Sequence, residues 1–146
     1  KADAFYALVK DLKARGAPID GVGFHGHLQL DETMAIGSAQ WKQQLAAGIK
    51  RFNDLGLEVL ITELDVSIVL PANATELQDQ ASVFRDVLDV CLAAQKCTAF
   101  NMWGFTDKYS WIPRVRPGSG AALIFDENYT AKPAYFALRE LLVVQP

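Results

Sequence analysis

Apolar residues along the chain alternate between two spacings. In "DAFYALVKDLKARG" Phe5, Leu8, Val9 and Leu12 recur at helical intervals, and Gly16 and Pro18 supply stop signals. The next segment, "IDGVGFHGHLQL", reads as a buried strand. Trp41, Leu45, Ile49 and Phe52 make a second helical face closed by Gly56, and "LEVLITELDV" is the second strand. Thr75 and Gln78 have the spacing of a capping box, ahead of Leu77, Ala81, Phe84, Leu88 and Cys91 on one face. "TAFNMWGF" is the third strand. A long loop with Pro117, Gly118 and Gly120 then leads to a last helix opened by Pro133, a residue suited to a first helical position.

Strand and helix in this alternation imply a parallel sheet with helices outside it. A doubly wound sheet would advertise a glycine-rich phosphate turn after its first strand, whereas the glycines of "GVGFHG" lie within the strand itself. A (β/α)8 barrel places chemistry at the C-terminal ends of its strands, and the unusual residues collect there: His25 and His27, then Glu63 and Asp65, then Trp103. The barrel reading is preferred, although a complete barrel needs eight strands and about 250 residues. Three strands and four helices make less than half of one.

The stretch "VLITELDVSIV" carries two carboxylates inside a run that otherwise reads as a buried strand, where an unpaired charge costs several kcal/mol or more. Residues i and i+2 share a strand face, so Glu63 and Asp65 are expected to point one way and Thr62 and Leu64 the other.

Composition narrows the setting. The 146 residues are 51% hydrophobic and 21% charged, the balance of a globular domain with one core. A net charge of −3 without a basic stripe argues against nucleic acid as a partner, and no apolar stretch reaches membrane-spanning length. The start at Lys1, with no signal-peptide pattern, suggests a mature or truncated chain.

"GVGFHGHL", "ITELDV" and "MWGFTDKYSW", in this order, resemble the last three strands of glycoside hydrolase family 10, the endo-1,4-β-xylanases, and "GAALIFDENYTAKPAYFAL" resembles its closing loop and helix. The likeness covers essentially the whole chain. It implies an α/β fold, a partial (β/α)8 TIM barrel in which residues 1–146 form the C-terminal portion of one barrel domain: the last three βα units preceded by one helix. It also implies retaining hydrolysis of xylan or xylo-oligosaccharides in a cleft, with no cofactor or metal in the chemistry. The general acid/base Glu of such enzymes would lie upstream of Lys1, and the missing N-terminal barrel portion would be the chain's partner.

By the same resemblance Glu63 is the nucleophile, a carboxylate that forms a covalent glycosyl-enzyme through an oxocarbenium-like transition state. Asp65 is not its acid partner. The two are only about 6.6 Å apart along the strand and face the sugar from one side, whereas a retaining acid and nucleophile flank the bond about 5 to 5.5 Å apart. The family instead implies a hydrogen-bonded chain in which His27 bridges Glu63 and Asp65. His25 falls where the family most often has Gln, donating to the nucleophile or the sugar 2-hydroxyl, and imidazole can donate one such bond. Trp103 and Trp111 match the family's aromatic walls, an indole face packing on a pyranose. Each residue has a plainer reading: a buried structural Glu paired with a base, a core histidine, a strand-end cap, core filling for a Trp. Core filling is preferred for Trp41, and Asp107, Lys108 and Tyr109 are read as cleft residues or a solvated loop.

Cys91 and Cys97 as reduced thiols would suit a cytosolic enzyme, and their spacing resembles no zinc or redox motif. The family's secreted habit implies a disulfide instead, which closes a short loop for about 2 kcal/mol. "NAT" at Asn73 and "NYT" at Asn128 are glycosylation sequons, meaningful in a eukaryotic source. Two other functions fit the residues: a non-catalytic xylan-binding or assembly fragment, and an unrelated α/β-barrel enzyme using Glu63 to abstract a proton.

Overall fold

The computed structural model describes residues 2–30 and 36–143. Helix α1 (Ala2–Ala14) precedes strand β1 (Gly21–Gln29), helix α2 (Ala39–Asn53) precedes β2 (Glu58–Val69), and α3 (Ala74–Ala93) precedes β3 (Cys97–Met102). A 3-10 turn at Asp107–Tyr109, a short helix α4 (Ile112–Val115) and a two-residue strand β4 (Ser119–Gly120) follow, and α5 (Pro133–Val143) closes the described chain. Strands β1, β2 and β3 run parallel in that order, while β4 pairs antiparallel with the far end of β2. The long loop of the sequence reading therefore contains α4 and β4, and β2 continues three residues past Val66.

The helix ends follow local chemistry. Gly16 and Gly56 adopt φ of +82° and +79°, and the residues after them, Ala17 and Leu57, donate backward to the carbonyls of Leu12 and Phe52. This left-handed ending satisfies carbonyls that the helix leaves orphaned. The start of α3 departs from expectation: the capping box is Asn73 with Glu76, not Thr75 with Gln78. Asn is as good an N-cap as Ser or Thr, and its side chain accepts from the amide of Glu76 while Glu76 reaches back to the amide of Asn73.

The core lies between the sheet and helices α2, α3 and α5. Phe52 from α2 and Phe84 and Val87 from α3 meet Val59, Ile61, Leu64 and Val66 of β2, all buried. Those four β2 positions are odd, odd, even, even. The alternation breaks between Ile61 and Leu64, where β2 holds one residue more than each neighbour: Phe24 pairs with Ile61 but His25 with Glu63, and Phe100 pairs with Ile61 but Met102 with Leu64. The extra residue is a β-bulge, which bends a strand and redirects the side chains after it. A Cβ built on Gly23 would lie 3.1 Å from Thr62 Cγ2, so Thr62 shares the face of Gly23 and His25. The expectation that Thr62 and Glu63 point to opposite faces is thus corrected; both turn away from the helices.

β1 keeps its parity, with Val22, Phe24, Gly26 and Leu28 toward the helices. Gly26 lets β2 pack there: a Cβ at this position would come within 2.9 Å of Leu64 Cδ1. In α1 only Val9 of the predicted stripe is buried, while Phe5 and Leu8 are exposed. Trp41 is half-buried against the core, as its place on the helix face suggested. Cys91 and Cys97 are joined as a disulfide that links the end of α3 to the start of β3.

Candidate active site

The bulge delivers Glu63 and Asp65 beside the two histidines of β1, in register His25 to Glu63 and His27 to Asp65. His27 stands between the carboxylates, its Nδ1 2.8 Å from Asp65 Oδ2 and its Nε2 3.0 Å from Glu63 Oε2. Trp111 Nε1 donates to the same Asp65 oxygen at 2.8 Å. His25 Nε2 lies 3.4 Å from the other Glu63 oxygen. An unbroken polar chain thus runs from Trp111 through Asp65 and His27 to Glu63.

Exposure is graded along it. Asp65 is fully buried, the Glu63 and His27 side chains are 20% and 21% exposed, and that of His25 is 63% exposed. The His27 ring packs edge-on against Trp111 at 4.8 Å and Trp103 at 6.3 Å. Trp103 follows the last residue of β3, its amide still donating to the carbonyl of Leu64. Every residue picked from the sequence for this site therefore converges on one place. Glu63 is the carboxylate that solvent can reach, held from both oxygens by imidazoles. Such a group can act as a nucleophile or accept a proton.

The loop after β3 resolves another reading. Asp107 is neither a cleft residue nor solvated: its carboxylate meets Lys132 Nζ at 2.9 Å and accepts from the Leu123 amide at 2.8 Å. Lys132 also donates to the Ala121 carbonyl. Burial pushes the Asp107 carboxyl up from its ordinary value and the Lys132 ammonium down, each against the pull of its partner's charge. Lys108 and Tyr109 are exposed, with the ammonium 5.6 Å from the Tyr109 ring centre.

Sequence reasoning missed Lys132, and also Arg116 and Gln80. Arg116 braces the site from below, donating to Ser67 Oγ at 3.1 Å and toward the His27 carbonyl at 3.5 Å. Gln80 of α3 donates to the carbonyls of Val66 and Ala121, tying the end of β2 to the loop. A glutamine inside the apolar stripe of α3 was the available signal for the second. Asp31 and Glu32 lie outside the described residues.

A family model described as "Glycosyl hydrolase family 10" matches residues 1–141. The chain belongs to that family. It is 43% identical over 143 residues to endo-1,4-beta-xylanase B of Thermotoga neapolitana, covering 97% of this chain and 39% of that protein. Against endo-1,4-beta-xylanase 1 of Humicola insolens it is 45% identical, again over 97% of this chain but 32% of the relative. The solved structure of xylanase 10B from Thermotoga petrophila in complex with xylobiose superposes with a TM-score of 0.88 at 39% identity, over 98% of this chain and 42% of that one. The chain thus spans about a third to two fifths of the length of these family 10 relatives. Among the described residues no helix is long and apolar enough to cross a membrane.

Proposed function

We propose that this chain forms the last three βα units of a (β/α)8 barrel and supplies the nucleophile half of a retaining endo-1,4-β-xylanase. The observation that carries the reading is the Trp111–Asp65–His27–Glu63 chain, which ends in a partly exposed carboxylate and whose imidazole packs against two indoles. Glu63 attacks the anomeric carbon, its lone pair forming the glycosyl ester as the bond to the leaving oxygen breaks. Water then cleaves the ester and returns the carboxylate. His27, anchored by buried Asp65, fixes the Glu63 rotamer. His25 presents an imidazole to the same carboxylate and to sugar hydroxyls, and Trp103 and Trp111 wall the sugar ring. The substrate is xylan or a xylo-oligosaccharide.

The leaving oxygen needs a proton, and the family likeness implies that a carboxylic acid elsewhere in the barrel supplies it. Asp65 is buried with its Oδ2 already shared, and Asp107 is committed to Lys132. This observation also favours the second reading, a xylan-binding piece with no turnover of its own. The Cys91–Cys97 bond supports secretion, since such bonds persist in oxidising compartments.

A 2-fluoro xylobioside with a good leaving group tests the role of Glu63 in the longest form that the gene encodes. Fluorine slows hydrolysis of the glycosyl-enzyme more than its formation, so peptide mapping should find the label on Glu63. Label on Asp65, or none, sinks the assignment. Residues 1–146 alone should bind xylo-oligosaccharide or remain inert but not turn over xylan, because positioned acid catalysis supplies ~10² to 10⁴-fold.

A further inference from the structure

The only two histidines of the chain, His25 and His27, both aim Nε2 at the same carboxylate. We propose that His25, His27 and Glu63 form a binding site for an imidazole-preferring divalent transition ion such as Zn²⁺, whose occupancy removes Glu63 from use.

Three observations carry it. One ligand atom from each residue lies within 4.8 Å of the others. Tetrahedral zinc with bonds of about 2.1 Å needs its ligands about 3.4 Å apart, so the widest pair closes by up to about 1.4 Å. His25 can supply that movement, being the exposed member. The second observation is the outer shell. A metal-binding imidazole almost always gives its other nitrogen to a carboxylate, which fixes the ring and leaves the ligating nitrogen forward. His27 is held in this way: Nδ1 on buried Asp65, itself pinned by Trp111, and Nε2 forward. Two imidazoles and one carboxylate suit zinc, copper or nickel rather than magnesium or calcium, which prefer oxygen. Third, both cysteines are locked in the disulfide, so no thiolate competes for the ion.

The exchange balances simply. Where His27 donates from both nitrogens, the ion takes the place of the Nε2 proton, which leaves to solvent. Glu63 then spends a lone pair on the metal, and water completes the shell. That metal binding also stops turnover rests on the proposed role of Glu63; that the ion binds does not.

The test is calorimetric titration of zinc chloride into the longest form that the gene encodes, followed by cobalt substitution. One site per chain is expected, with a visible cobalt spectrum of low coordination number. His25→Gln should weaken binding by ~10-fold or more, as should Asp65→Asn through the outer shell. His25 is exposed, so the first variant does not threaten the fold. No binding at millimolar zinc, or binding unchanged in both His25→Gln and His27→Ala, would overturn the proposal. Binding as expected together with failure of the fluoro-sugar label at Glu63 would leave the metal site standing and remove only the enzymatic reading.

Discussion

Asp65 and Asp107 are both withdrawn from solvent, but their partners differ in kind. Asp107 meets Lys132, whose ammonium is consumed by that carboxylate and the Ala121 carbonyl, so the interaction ends inside the loop. Asp65 meets an imidazole, which has a second nitrogen on its far side, and the contact continues outward to Glu63. A lysine terminates a buried polar cluster; a histidine can carry order from a buried anchor to an exposed group. The first arrangement holds a loop, and the second aims a side chain.

The largest expected break in this comparison is Glu63→Gln in the longest form of the protein. If Glu63 is the nucleophile as proposed, turnover of xylan should fall by ~10⁴-fold or more while the melting temperature barely moves. Steady-state rates and a thermal melt on one preparation check both halves; turnover near that of the wild type would remove Glu63 from the chemistry. Lys132→Met should show the reverse pattern. Stranding a buried Asp107 carboxylate costs about 3 to 5 kcal/mol in urea unfolding. The double variant Asp107→Asn with Lys132→Met should recover most of that loss, because it removes both charges and keeps an acceptor for the Leu123 amide. If the double variant is as unstable as the single, the pair is not the origin of the cost.

Trp111→Phe should be milder, about 1 to 3 kcal/mol of stability, because it deletes one donor to buried Asp65 and keeps the ring against His27. Its diagnostic sign is a fall in kcat per folded molecule, measured by active-site titration, of ~10-fold through a loosened His27. An unchanged kcat would mean that Asp65 needs only His27.

The smallest effect is one of pH. Asp107 has its folded value raised by burial, so its contribution to stability is complete below the ordinary carboxylate value and is lost as pH rises through the folded value. Lys132 has its folded value lowered, so its contribution is present above the ordinary lysine value and is lost as pH falls through the folded value. Both contributions are missing in the neutral window. The double variant should therefore compare best with the wild type near neutral pH and lose ground toward pH 4 and toward pH 10. Unfolding midpoints across that range read it directly, and a difference that does not vary with pH would contradict the assigned directions.

The three parallel strands and their helices were legible because helical stripes alternate along the chain with short apolar runs, although only β2 is rich in β-branched residues. Glu63, Asp65, His25, His27, Trp103 and Trp111 were legible as a group through the family likeness, and the geometry brings them together. The bulge was not, since no glycine or proline marks it and "ITELD" reads equally well as simple alternation. The Asp107 burial was hidden for another reason: "TDKYS" is locally a polar loop, and the lysine that neutralises it arrives 25 residues later. The cap of α3 was misplaced by two residues because Asn73 and Thr75 are both good N-cap residues, and only the actual turn of the chain chooses between them.

The extra residue at Thr62 also sets how β2 can be redesigned. Below it, odd-numbered positions face the helices and must stay oily; above it even-numbered ones do, and the odd-numbered Glu63 and Asp65 belong to the candidate site. A combinatorial library drawn on a single alternating template would plant charges against α2 and α3 over half the strand and call the result a surface. Loss of the one codon would do the same in a single step, exchanging Glu63 and Asp65 with Leu64 and Val66 between the cleft and the core. The strand is better handled as two short cassettes joined at Thr62, each with its own inside and outside.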